Sequence, residues 1–128
     1  MHMVGSNLSV DVEFWDVEKN KYRAGLLTFD TGASVTTISK YALFDLGYNV
    51  TAGNMRQITT ASGVEYVREV IVDKIRLGDH ELENILVYAH TFPEESFSTG
   101  VIGLNVLSMF DINLLFSKRQ IELTKIAQ

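Results

Sequence analysis

Between residues 8 and 14, apolar Leu8, Val10, Val12 and Phe14 alternate with polar Ser9, Asp11 and Glu13. A period of two suits an extended strand with one buried face and does not suit a helix. The rest of the chain continues as short apolar runs broken by turn signals. Lys19-Asn20-Lys21 is polar and suits a hairpin turn, with residues 22–29 as the return strand. Residues 35–38 are β-branched and read as a short strand. Residues 54–60 and 64–77 read as strands around a turn at Ala61-Ser62-Gly63, and Gly78-Asp79 leads into another strand over 81–89. Residues 90–98, which hold the only proline, Pro93, read as a loop. Two short helices interrupt the strands. Ser39 as N-cap and Gly47 as stop bracket residues 40–46, and residues 104–110 form the second. A last hairpin joins 111–116 to 120–123. Short strands at regular spacing imply an all-β domain, closed or sandwich-like, with one or two short helices.

A chain of 128 residues suits one domain with one core, and no linker, repeat or low-complexity segment divides it. Residues 1–6 are set aside as a tag remnant or disordered start, leaving a single domain over 7–128. The formal charge of −5 argues against a nucleic-acid partner, which needs clustered Lys and Arg. The one basic pair, Lys118-Arg119, reads as a solvated turn. With no cysteine there is no disulfide framework, thiolate metal site or cysteine nucleophile. His2, His80 and His90 lack ligand spacing, so no metal is expected. No apolar run is long enough to span a bilayer and no signal-peptide pattern opens the chain. The expectation is a cytoplasmic protein, unless an anchor or targeting segment has been trimmed away.

Chemistry concentrates at Phe29-Asp30-Thr31-Gly32-Ala33-Ser34, which comes after the apolar stretch Ala24-Gly25-Leu26-Leu27-Thr28. A carboxylate at a strand end is well presented. Thr31 brings a hydroxyl, and Gly32 permits a tight turn and close backbone approach. Read alone, the tripeptide also fits a plain turn, since Asp and Gly favour turns. Ser34, Ser39 and Ser62 lack a nucleophile-elbow pattern, and Glu94-Glu95 reads as a solvated loop.

The Asp-Thr-Gly motif, together with Val101-Ile102-Gly103-Leu104-Asn105-Val106-Leu107 downstream, resembles the retropepsin-like (retroviral-type) aspartic protease family. The likeness extends from about residue 9 to 123, and is nearest the bacterial single-domain members. Phe110-Asp111-Ile112 and Ile121-Glu122-Leu123 are similar to the C-terminal segments of those members. Asn113 departs from this likeness, since an acidic residue is expected at that place.

The resemblance implies a retropepsin-like closed β domain with one catalytic loop per subunit. Asp30 corresponds to the catalytic aspartate, and Thr31 to the residue bracing the partner's loop. Gly32 corresponds to the motif glycine beside the carboxylates. Ala33, Val101 and Ile102 would border the substrate, and Ala61, Ser62 and Gly63 would form the tip of a flap over it. Tyr66 is a candidate for the cleft-facing side of that flap. Ala33 stands where pepsins usually carry serine, so one hydrogen bond favouring the charged carboxylate is absent. A less acidic optimum than pepsin's is the expectation. Because the motif occurs once, one chain holds half a site, and the implied enzyme is a homodimeric endopeptidase acting on peptide or protein without cofactor or metal. The alternative is a catalytically silent domain of the same fold that binds peptide or serves dimerisation.

Overall fold

The computed structural model describes residues 1–4, 7–60, 63–91 and 99–126. Among these residues ten strands and two short α-helices succeed one another, with a 3-10 turn at Phe116–Lys118 between the last two strands: β1 His2–Val4, β2 Asn7–Asp16, β3 Lys21–Phe29, β4 Thr37–Ser39, α1 Lys40–Asp45, β5 Met55–Thr60, β6 Gly63–Leu77, β7 His80–His90, β8 Gly100–Ile102, α2 Leu104–Leu107, β9 Phe110–Leu115 and β10 Gln120–Lys125. No helix among the described residues is long and apolar enough to cross a membrane.

The main sheet runs β1-β2-β3-β8-β4-β7-β6-β5, and a further pairing joins β2 to β6. That pairing closes a ring of six strands, β2-β3-β8-β4-β7-β6, with β1 and β5 as outer additions. The seam is short, with Glu13 opposite Arg76 and Phe14 opposite Ile75. Arg76 clamps it by donating from Nε and Nη2 to the two Glu13 carboxylate oxygens, at 3.0 and 2.8 Å. This fork-to-fork bond holds the Glu13 carboxyl below its usual range.

Inside the ring sit Val12, Phe14, Leu27, Ile38, Val72 and Val87, all nearly or fully excluded from water. Burying side chains of this size contributes about 1.5–3 kcal/mol each. The alternation in β2 is real, but its buried set shifts along the strand. Ser9, Val12, Phe14 and Asp16 are buried, while Leu8 and Val10 are only partly covered. Tyr48 ties the ring internally, donating to the Trp15 carbonyl at 2.7 Å and accepting from the Asp73 amide at 3.2 Å. Burial pushes its hydroxyl up to about 12.

Helix α1 begins and ends where its caps dictate. The Ser39 side chain accepts from the Ala42 amide, and Gly47 lies just past the helix at a φ of +93°. Leu43 is its buried anchor. The second helix is one turn only, shorter than the residues 104–110 expected. Phe110 opens β9 opposite Lys125 and is buried edge-on against the His80 ring, so packing takes it out of the helix. The strand expected over 35–38 lies at Thr37–Ser39 instead, because Thr36 turns its hydrogen-bonding groups to α2. Residues 2–4, set aside on sequence grounds, pair with β2 in the register His2 to Ser9. The hairpin β9–β10 forms a separate two-stranded sheet, with Arg119 left-handed at its turn.

Candidate active site

Strand β3 delivers Asp30. Phe29 pairs with Ile102 in the parallel β3–β8 ladder, and the Asp30 amide donates to the Ile102 carbonyl at 3.1 Å. The chain then turns: the Ala33 amide reaches back to the Asp30 carbonyl at 3.3 Å, and the Gly32 amide donates to Asp30 Oδ1 at 2.9 Å. A side chain added at Gly32 would meet that oxygen at 3.1 Å, so glycine lets the amide approach the carboxylate. Asp30 is partly exposed, and Thr31 and Gly32 are exposed, so the loop presents its motif to solvent.

The segment after β8 braces this loop from behind. Leu104 and Asn105 amides donate to the Ala33 and Ser34 carbonyls at 2.8 and 3.1 Å. Gly103 packs directly on the loop, and a Cβ there would lie within 2.7–2.9 Å of Val35, Ala33 and Thr36 backbone atoms. The Gly103 amide donates to Thr36 Oγ1 at 3.0 Å. Thr36 in turn donates its amide and its hydroxyl to Asn105 Oδ1, at 2.8 and 2.9 Å. Asn105 completes the set by donating from Nδ2 to the Leu86 carbonyl at 2.7 Å. Thr36 is wholly buried, so each of these groups needs its partner.

The sequence motif does not mark Thr36 or Asn105 as site residues. A signal exists, since Asn105 is the sole polar side chain within residues 101–107. A polar residue in such an apolar run needs a hydrogen-bonding reason.

The other expected site residues fall in different places. Ala33 and Val101 are partly exposed beside the loop. Ile102 is 1% exposed and lies in the core, so it supports the loop through its carbonyl and its packing, not by presenting a side chain to solvent. Ala61 and Ser62 lie outside the described residues. Gly63 opens β6 opposite Thr60, with a φ of +121° and open space where a Cβ would stand. In the β5–β6 hairpin, Val67 is buried and Glu65 meets His90 Nε2, so that face is turned to the body. Tyr66 alternates to the other face with Met55, and both stand well exposed toward α1.

A closed β domain with a single Asp-Thr-Gly loop, held by an apolar-apolar-Gly segment that leads into a short helix, is retropepsin-like in architecture. The solved structures agree. A crystal structure of a retropepsin-like aspartic protease from Rickettsia conorii aligns with a TM-score of 0.66, over 91% of this chain and 81% of that one, at 19% identity. No curated protein sequence matches significantly. The family model described as aspartyl protease matches residues 15–106, well over half of the chain. The chain belongs to the aspartyl protease family, whose members are aspartic-type endopeptidases.

Proposed function

We propose that two copies of this chain form the working peptidase, each contributing Asp30 to one catalytic pair on a two-fold axis. The observation that carries this reading is the single, solvent-presented Asp30 carboxylate on a loop fixed by the Thr36–Asn105 bonds. One such carboxylate per chain supplies half of what the chemistry of this family uses.

Two carboxylates at close range cannot both ionise readily, so they share a proton and titrate as a coupled pair. The ionised member takes a proton from a bound water as that water attacks the scissile carbonyl carbon. The protonated member gives its proton to the carbonyl oxygen. Collapse of the resulting diol breaks the C–N bond: the protonated carboxyl gives its proton to the leaving amine while the ionised one takes a hydroxyl proton from the diol, which restores the singly protonated pair. Thr31, exposed beside Asp30, braces the facing loop of the partner. The β5–β6 hairpin folds over the substrate as a flap, and Ala33 and Val101 border the bound peptide. The substrate is an extended polypeptide held by main-chain hydrogen bonds, with side-chain pockets setting preference. Ala33 leaves the carboxylates without a hydroxyl donor, which places the optimum less acidic than that of pepsin.

Incubating concentrated protein with a diverse peptide library, from mildly acidic to neutral pH, tests this reading beside an Asp30→Asn control. Cleavage by the wild type alone supports it. Peptide binding without cleavage by either protein refutes it in favour of a silent binding domain.

A further inference from the structure

A groove of about 540 Å³ lies away from the Asp30 loop, between α1 and the root of the β5–β6 hairpin. None of its wall comes from residues 29–36 or 99–103. Its size is that of a pocket that seats one or two large side chains. Tyr41 and Phe44 of α1 stand on one side, 63% and 71% exposed, and Met55 and Tyr66 of the hairpin on the other, 54% and 66% exposed. Buried Val67 and Ala89 also line it. Four large apolar side chains converging without mutual burial are unusual on a protein surface and mark an interaction site.

The charge of this groove is opposite to that of the molecule. The chain carries a net −5, yet among the described residues no Asp or Glu lines the groove, while Lys40 and Arg68 do. Among the described residues neither cation makes an ion pair. Lys40 Nζ lies 5.2 Å from the Tyr41 ring centroid, and Arg68 Nη1 donates to the Gly53 carbonyl at 3.0 Å. The remaining donors of the Arg68 guanidinium are suited to a carboxylate. A concave site favours inserted side chains over the flat surface of a bilayer.

We infer that this groove is a docking site for a polypeptide segment in which an aromatic side chain is flanked by carboxylates. The ring enters between Phe44 and Tyr66, and the carboxylates meet Lys40 and Arg68. On the proposed peptidase the site would hold a protein substrate at a distance from the bond that is cut. The binding itself does not depend on cleavage.

The test uses Asp30→Asn protein and fluorescein-labelled Asp-Phe-Glu-Trp-Asp, monitored by anisotropy, with Lys-Phe-Lys-Trp-Lys as the charge-reversed probe. The acidic peptide is expected to bind saturably, to weaken as salt is raised, and to lose about tenfold in affinity with Arg68→Glu or with Phe44→Ser. Phe44 is exposed and Arg68 is half-buried, and an unchanged circular dichroism spectrum confirms that each variant folds. Equal binding of the basic peptide, or affinity untouched by both substitutions, overturns the inference. Capture by phosphatidylglycerol vesicles without saturable peptide binding also overturns it, in favour of a membrane contact. Wild-type protein that binds the peptide here but cuts nothing leaves this site standing while removing the peptidase reading.

Discussion

Thr36 is the residue on which the candidate site turns. Its hydroxyl accepts from Gly103 and donates to Asn105 in a fully dry position, which joins the Asp30 loop to the segment behind it. Thr36→Val keeps the shape and removes both bonds, leaving the Gly103 amide without that acceptor. The expected cost is about 1–3 kcal/mol of stability, since a buried group loses its partner. Urea unfolding measures it. Turnover should fall further than substrate affinity, because a loosened loop misplaces Asp30. The motif itself was legible in the sequence because Asp, Thr and Gly are contiguous. The Thr36–Asn105 link was not, because its partners stand 69 positions apart and meet only once β4 and α2 are placed. Ile102 shows the opposite limit: its position beside the loop was readable, but the inward direction of its side chain needed the folded core.

At the scale of elements, the turn between β2 and β3 carries the clearest electrostatic signature. Asp16, buried at the end of β2, accepts from the Lys19 and Glu18 amides at 2.8 and 3.0 Å and from Arg23 Nη1 at 3.3 Å. The Lys19 amide does most to hold this carboxyl below its usual range. Burial opposes it, and Arg23 and the Glu18 amide add to the lowering. A carboxyl whose folded pKa is depressed stabilises the fold above its unfolded value, about 3.9 for aspartate, and that contribution is lost as pH falls through the folded value. Asp16→Asn should therefore lower the urea midpoint at neutral pH, and the two proteins should converge under acid once the wild-type carboxyl is protonated. A gap that stays constant down to strong acid would show that shape, not charge, holds this turn. Strands with local hairpin signals were readable because their information is sequential. The ends of β4 and α2 were not, since tertiary hydrogen bonds at Thr36 and burial of Phe110 decided them.

For the whole molecule, the proposed pair of chains makes activity a property of concentration. Rate per chain should fall on dilution through the dimer dissociation constant and recover on reconcentration, because separation splits the carboxylate pair. Sedimentation at the same concentrations should show dimer loss in step with activity. A rate per chain that holds while sedimentation shows monomers would eliminate a shared site. The all-β character was readable from strand spacing, but ring closure was not. It rests on the short β2–β6 seam, and nothing in the local pattern around Glu13 or Arg76 announces that these strands meet.

Strand β6 runs unbroken through 15 residues, pairing with β5 over its first part and with β7 and β2 over the rest. The projecting hairpin and the barrel wall are therefore one continuous beam. Gly53 sits hard against the Glu69 carbonyl where the two regions meet, and the Glu69 amide is bonded to Asn54 at 2.9 Å. Such a joint acts as a fulcrum. A load on the hairpin would therefore pass along the same strand through residues 68–70 into the wall of the barrel, with no loop between to absorb it.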